Sequence, residues 1–591
     1  MIHFIFTDRD PRYMFLKGDT SEDISNLKCF KSMCCPVDPA CYLPSYKNSG
    51  RPQYTQDFIW EYDQVSGDKV YYGAIGMWQV AYKFFKTNNY EFDGLLENKD
   101  FFKNKIQHSF EEFVEIIRGW NLKYFPRPYQ LEAAYKILQY KQSLSVLSTR
   151  AGKTLIAYCV FRYCMEYLNM KRILLIVPSI TLVKQGYSDF DEYAEFFKTE
   201  CIWSGGKIVE SSNLTIGTFQ SLIGFLDRKS KRYNPSFFDT YDCVFVDEVH
   251  RATANQIKTI ISQPFMKNVK IAYGMTGTLP KEKTIDSFCL HSLLGAKIQD
   301  IEPKELMDAG YISKIDITQI RLSYKNVEKQ YDAFIKCAEY VLGEFVMEQD
   351  PKNPKRKKKI MLQNPEHQIL ALKKLPDGLL DTKLQLELQY GKDTPEFKNH
   401  YIDILYEMVK ASDTANFLVI ERMMSHFMEE RIDFLCYNIL PLCINNTLIL
   451  AHHTQYIDKL YIIIKERFPD KNIVKITGSV NLKERQKIIQ MFKENNNCIM
   501  IASYGTMSTG ITLHNLCHGI LFESFKSNVV NMQSLGRGLG LSDLKEKYEV
   551  YDIIDMFDEA LKTKSIFLQG AEKIKIYKKN EYPYKIVNKT I

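Results

Sequence analysis

An apolar run, SLSVLS (143–148), stops at TRAGKT (149–154) and gives way to LIAYCVFRYCMEYL (155–168), apolar at helical spacing. A short strand, a glycine-bearing turn and a helix in immediate succession leave little choice of local fold. The helix N-terminus and the turn's amides converge beyond the strand end, an arrangement suited to phosphate. Gly152 allows close backbone approach, Lys153 reaches the β/γ-phosphates of a nucleotide, and the Thr154 hydroxyl suits Mg²⁺. Thr149, Arg150 and Ala151 complete the turn. The full phosphate-loop spacing is not met, because its first glycine would fall on Leu147.

A second signal lies downstream. CVFVDEVH (243–250) is an apolar strand that ends in Asp247, Glu248 and His250. Asp247 suits a Mg²⁺ ligand, and Glu248 suits a base that orients and deprotonates an attacking water. Upstream, FPRPYQ places Arg127 and Gln130 just before the first of these strands, and a glutamine can pair with adenine through N6 and N7. MTGT (275–278) is a polar turn leaving another strand. For Gln130, Thr276 and Thr278, plain capping or turn roles are the alternative.

These signals sit in a regular pattern. Residues 1–110 read as a small α+β domain with a possible DNA-binding role, including short strands in DFIWEYDQ and DKVYYGAI and an amphipathic helix over 75–86. That helix carries Trp78, Tyr82 and Phe85, expected in its core. Over 111–324, apolar runs such as RILLIVP, LTIGT and VKIAYGMTG alternate with helical stretches, as in a parallel sheet covered on both faces. A second such series spans 446–560, with NTLILAHH, NCIMIASY and HGILFES. Two α/β domains in tandem follow, separated by a mostly helical 325–445 and trailed by a basic tail, 561–591. The basic run Lys355–Lys359 and the tail KIKIYKKNEYPYK are each either solvated surface or phosphate contacts.

The ordered set RPYQ, AGKT, VPSITLVKQ, GTFQS, DEVH, TGT, LILAHH, IASYGTMSTGI and QSLGR resembles the motifs of superfamily 2 DExH helicases. More narrowly, IASYGTMSTGI and the N-terminal DKVYYGAIGMWQVAYKFF are similar to the UvsW type of phage recombination helicase. The resemblance implies two RecA-like domains using ATP and Mg²⁺ to drive a translocase on branched or forked DNA, with little sequence specificity, in recombination, replication and repair. It implies a nucleotide-site role for Gly510 and catalytic roles for Gln533 and Arg537. It also implies nucleic-acid contacts from Pro178, Thr218, Gln220, Ser508 and Thr509, whose segments suit phosphate more than base edges. The position usually called the arginine finger falls on Gly540. Such a finger is worth on the order of 10³–10⁵ in rate, so Arg537 alone, a cation such as Arg150, or weak hydrolysis must account for its absence. An RNA helicase and an ATP-gated DNA-binding module are the alternatives.

Bulk properties agree with a globular, non-membrane chain. The net charge of +7 permits a nucleic-acid partner. No apolar run approaches the roughly 20 residues of a membrane span, and the first residues do not form a signal peptide. Scattered cysteines suit a reducing cytoplasm, that of a host cell for a phage-encoded protein. The cluster Cys29, Cys34, Cys35 and Cys41 is awkwardly spaced for zinc, and ordinary thiols are expected. A monomer is expected.

Overall fold

The computed structural model describes all residues except 8–11, 37–55, 64–68, 204–211, 250–258, 262–268, 346, 351–352, 360–372, 413–414, 508–512, 525–529 and 531–533. It divides after Pro303 into two compact units.

The first unit begins with a five-stranded sheet. Its strands are β1 (Ile2–Ile5), β2 (Tyr13–Gly18), β3 (Ile59–Asp63), β4 (Lys69–Ala74) and β5 (Phe92–Asp93), in the order β3-β4-β2-β1-β5. Helix α1 (Ser21–Met33) opens on a capping box between Thr20 and Asp23. It packs with α2 (Trp78–Thr87) on one face of the sheet, where Leu27, Phe30, Ala81 and Phe85 meet Phe4 and Leu16. Of the aromatics expected in the core, Phe85 is fully buried. Trp78 stacks on Phe102 at 4.6 Å and Tyr82 meets Phe92 edge-on at 5.5 Å.

This domain is locked to the sheet that follows. Gln79 donates to the Lys297 carbonyl (3.0 Å) and accepts from the Lys297 amide (2.8 Å). A Cβ on Gly76 would fall 2.2 Å from the His291 carbonyl oxygen, so glycine permits the close approach.

The second sheet contains β6 (Gln142–Leu147), β7 (Ile173–Val177), β8 (Thr199–Ile202), β9 (Leu214–Thr218), β10 (Cys243–Asp247), β11 (Ile271–Thr276) and β12 (Ala296–Ile301). Their order is β12-β6-β11-β10-β7-β9-β8 and every pairing is parallel. All five residues of β7 and of β9 are buried, as continuous apolar strands covered on both faces require. Helices α3 (Pro128–Leu138), α4 (Lys153–Tyr167) and α5 (Ile180–Tyr193) belong to this domain.

The second unit is built on another seven-stranded sheet. Here β13 (Lys314–Ser323), β14 (Thr447–Ala451), β15 (Asn472–Ile476), β16 (Cys498–Ser503), β17 (His518–Leu521), β18 (Lys547–Met556) and β19 (Tyr584–Thr590) lie in the order β15-β16-β14-β17-β18-β13-β19, all parallel. The expected boundary at 324 therefore moves to 303, because β13 pairs along its whole length with β18 rather than with the first parallel sheet. The expected basic tail is also corrected. Ser565–Lys579 is a helix and β19 joins the sheet; Lys573 and Tyr577 are buried, both bonded to Asp552 at 2.5 and 2.9 Å.

Between β13 and β14 the chain is mostly helical. It contains α6 (Val327–Leu342), Asp377–Tyr390, Pro395–Ala411, α7 (Phe417–Phe427) and α8 (Glu429–Phe434). The basic run lies on a short strand, Asn353–Lys359, paired with Met347–Asp350. A buried ion pair fastens this segment to the sheet: Arg431 of α8 bonds Asp555 of β18 through Nε (2.7 Å) and Nη2 (3.1 Å). Glu421 of α7 accepts from the Ser565 (2.7 Å) and Ile566 (2.6 Å) amides, so its carboxylate caps the C-terminal helix. Among the described residues, no helix is long and apolar enough to cross a membrane.

Candidate active site

The strand–turn–helix expected at 143–168 is present as β6, a turn and α4. Arg150 and Gly152 both hold left-handed backbone, φ 75° in each case. At Gly152 the conformation is reinforced by crowding, since a Cβ there would sit 2.2 Å from Gln130 Nε2. Gln130 is buried and engaged on both sides: Nε2 donates to the Ala151 carbonyl (2.9 Å) and Oε1 accepts from the Arg127 amide (2.8 Å). The plainer alternative for Gln130 thus describes its present contacts, and its amide is not turned outward for adenine. Tyr129, which the sequence reading passed over, donates to the same Ala151 carbonyl at 2.9 Å.

The lysine and the acidic motif meet. Lys153 Nζ lies 2.8 Å from Glu248 Oε1, and both side chains are largely enclosed. Glu248 has a positive φ of 49°, and its amide donates to Asp247 Oδ1 at 2.8 Å. Burial pushes the Asp247 carboxyl up to about 7; the neighbouring Glu248 charge adds to the rise and Lys153 opposes it. Burial likewise draws the Arg150 guanidinium down to about 10, leaving it a cation at neutral pH. The TGT turn comes close to this centre, for a Cβ on Gly277 would lie 3.9 Å from Lys153 Nζ. Thr276 itself closes on Thr278, donating to its carbonyl at 2.8 Å.

Thr154 shows a partner that sequence alone did not suggest. It acts on Asp189 of α5, whose carboxyl burial pushes up to about 6 while Thr154 draws it down. A hydroxyl keeps lone pairs for a metal, which suits the expected Mg²⁺ role.

The remaining expected residues divide. Thr218 is buried, and its hydroxyl caps the helix Phe219–Ile223 by accepting from the Ser221 amide (3.4 Å) and donating to Ser221 Oγ (3.0 Å). Its hydroxyl therefore serves as a helix cap in this structure. Gln220 is exposed and Pro178 half-buried just beyond β7. His250, Ser508, Thr509, Gly510 and Gln533 lie outside the described residues. Arg537 is buried in a single 3₁₀ turn, Arg537–Leu539. Beside it, a Cβ on Gly538 would strike the Tyr548 ring at 2.3 Å, and Lys545 Nζ donates to the Gly538 carbonyl. Gly540 has φ −63° and ψ 139°, a conformation open to any L-residue, so the backbone does not demand glycine there. Of the cysteine cluster, Cys29 is exposed, Cys34 is buried and Cys41 lies outside the described residues. Among the described residues no His, Cys, Asp and Glu group could hold a metal by itself.

The first unit thus assembles a phosphate-loop lysine, a hydroxyl and two adjacent acids at one edge of a parallel sheet. That donor set fits a nucleotide with Mg²⁺. The left-handed turn exposes amides at the start of α4, and the lysine is held by a carboxylate that phosphate oxygens can replace.

Comparison with known proteins follows the same division. Residues 123–281 match the family described as type III restriction enzyme, res subunit, and residues 430–539 match the helicase conserved C-terminal domain. The chain is 23% identical over 448 residues to the ATP-dependent DNA helicase uvsW of Enterobacteria phage T4, covering 75% of this chain and 70% of that protein. It is 26% identical over 213 residues to the DNA 3'-5' translocase XPB2 of Sulfurisphaera tokodaii, covering 36% and 43%. Among solved structures, T4 UvsW aligns over 100% of this chain and 99% of its own at 20% identity and TM-score 0.40. The Hef helicase domain of Pyrococcus furiosus aligns over 76% and 98% at 16% identity and TM-score 0.41.

Proposed function

We propose that this superfamily 2 helicase is an ATP-dependent DNA motor that unwinds or remodels branched DNA. The observation that carries the reading is the ion pair between Lys153 and Glu248, set beside the enclosed Asp247. In it the base is held neutralised by the residue that must grip phosphate. Lys153 exchanges the carboxylate for the β/γ-phosphate oxygens, and Glu248, once released, is free to take a proton from the attacking water. Thr154 and Asp247 would hold Mg²⁺, which when bound neutralises charge on the phosphate oxygens. Substrate arrival and base activation are then one event.

DNA rather than RNA as the track, and a branched substrate in particular, rest on the similarity to the phage T4 enzyme. Gly540 favours one second reading, an ATP-gated DNA-binding module with impaired hydrolysis. Steady-state ATP hydrolysis with Mg²⁺ separates them, measured with and without forked DNA for the native chain, Lys153→Ala and Gly540→Arg. A motor gives DNA-stimulated turnover that Lys153→Ala abolishes. Native turnover absent but restored by Gly540→Arg would overturn the motor in favour of the gated module, and stimulation by structured RNA alone would overturn DNA as the track.

A further inference from the structure

The helices α1 and α2 cover only one face of the N-terminal sheet. Side chains alternate along each strand, so the register defines what the other face presents. Ile5 pairs with Phe15, Phe15 with Tyr72 and Tyr72 with Trp60, a row crossing four strands on the helix-free side. Tyr13 and Tyr62 flank it. Tyr72 is the hub, with ring centroids of Phe15, Trp60, Tyr62 and Tyr13 at 6.1, 5.7, 5.8 and 5.9 Å. Trp60, Tyr62 and Ile5 remain 38%, 41% and 41% exposed. An open face of an antiparallel sheet is ordinarily polar, and this one is aromatic.

The aromatic row itself carries no negative charge. Among the described strand positions of β1 to β4 on this side there is no carboxylate; Glu61 and Asp63 fall on the opposite parity. The cations are Lys17, opposite His3, and Arg12, whose guanidinium lies 5.5 Å from the Tyr13 ring centre. Two acids, Asp19 and Asp93, are bonded to His3, which Lys17 opposes, so the negative charge on this side lies at the Lys17 end and not within the aromatic row.

We propose that this face is a stacking platform for the unpaired bases of a single-stranded nucleic acid. Every base has a π-face, so such a surface binds strands without reading sequence. The identity of the partner rests on the motor reading, since a nucleic-acid motor working at branches meets unpaired strands; the surface itself does not.

The test uses the full chain with oligothymidylate and oligouridylate, followed by anisotropy and by tryptophan fluorescence. Tyr72→Leu and Trp60→Leu keep apolar bulk and remove the ring, and each is expected to weaken binding about tenfold. Tyr72→Phe should bind as the native chain does. Stacking should quench a fluorescence component that Trp60→Leu lacks. Loss with either oligomer supports the platform, and the tighter oligomer identifies the strand it takes. Unchanged affinity in both leucine variants would overturn it. So would leucine variants that alter only self-association in sedimentation, which would make the face a contact between copies. Hydrolysis at saturating forked DNA should be unchanged in these variants. If the native chain lacked DNA-stimulated hydrolysis but ring-dependent binding persisted, the motor reading would fail and the platform would stand.

Discussion

Replacing Gly152 by alanine probes the nucleotide loop at its tightest point. Gly152 holds φ at +75°, and a Cβ built there falls 2.2 Å from Gln130 Nε2. A left-handed conformation costs an L-residue about 1–2 kcal/mol. Gln130 must also swing away, breaking its buried bonds to the Ala151 carbonyl (2.9 Å) and the Arg127 amide (2.8 Å). Each bond contributes about 1 kcal/mol net. The total is about 3–4 kcal/mol, so the phosphate-receiving loop falls in population by roughly two orders of magnitude or more, and apparent nucleotide affinity falls with it. In a Gln130→Ala background the crowding and both bonds are already gone, and only the left-handed cost of about 1–2 kcal/mol remains. The two substitutions should therefore couple by about 2 kcal/mol, the double variant binding better than independent losses would allow. Titration of a fluorescent ATP analogue into the native, single and double variants completes the cycle. Additivity within about 0.5 kcal/mol would refute the reasoning, because Gln130 would then play no part in demanding glycine.

Four further outcomes follow from other contacts. Asp247 is pushed up to about 7, chiefly by burial, so Mg²⁺–nucleotide affinity should rise with pH through 7; in Glu248→Gln, which removes a raising charge, that rise should move to lower pH. By linkage the same carboxyl holds its proton more tightly folded than unfolded. Its contribution to stability in the absence of nucleotide is complete below the ordinary carboxylate range and is lost as pH rises through 7, which urea midpoints across pH would register. Arg431→Met leaves the buried Asp555 with the Tyr324 hydroxyl as donor but without its cation, and should lower stability by about 3–5 kcal/mol in chemical denaturation, whereas Arg431→Met with Asp555→Leu should cost clearly less. Gly538→Ala drives a methyl into the Tyr548 ring, 2.3 Å away, and displaces the Arg537 turn; kcat should fall at least about tenfold while the affinity of the Lys153 site for nucleotide is unchanged.

The parts of the site that were legible in the sequence are those whose chemistry is local. TRAGKT declares its turn because strand, glycine and helix are contiguous, and DEVH declares its acids because they end a wholly buried strand. Residues whose surroundings are decided by a remote partner were not legible in this way. KIDITQIRLS reads as a strand from its own alternation, but its sheet is set by β18, more than 200 residues later. Lys573 and Tyr577 look like a solvated basic tail until Asp552 draws them inside. Gln130 and Thr218 make polar contacts with nearby backbone that their sequence positions do not announce.

The N-terminal sheet shows the same limit from the opposite side. In IWEYD the alternation is plain, yet Ile59 and Trp60 are both apolar enough to face a core, and only the docking of α1 and α2 decides which set is buried. Once Ile59 and Tyr71 are committed to the helices, Trp60, Tyr62 and Tyr72 must face outward, whatever their hydrophobicity. A strand cannot turn one aromatic back into the core without turning all of that parity with it, and the opposite parity carries the core. The exposed rings are therefore a consequence of register that further packing within the domain cannot remove, which is why a ligand that accepts a flat aromatic surface is the natural complement to this face.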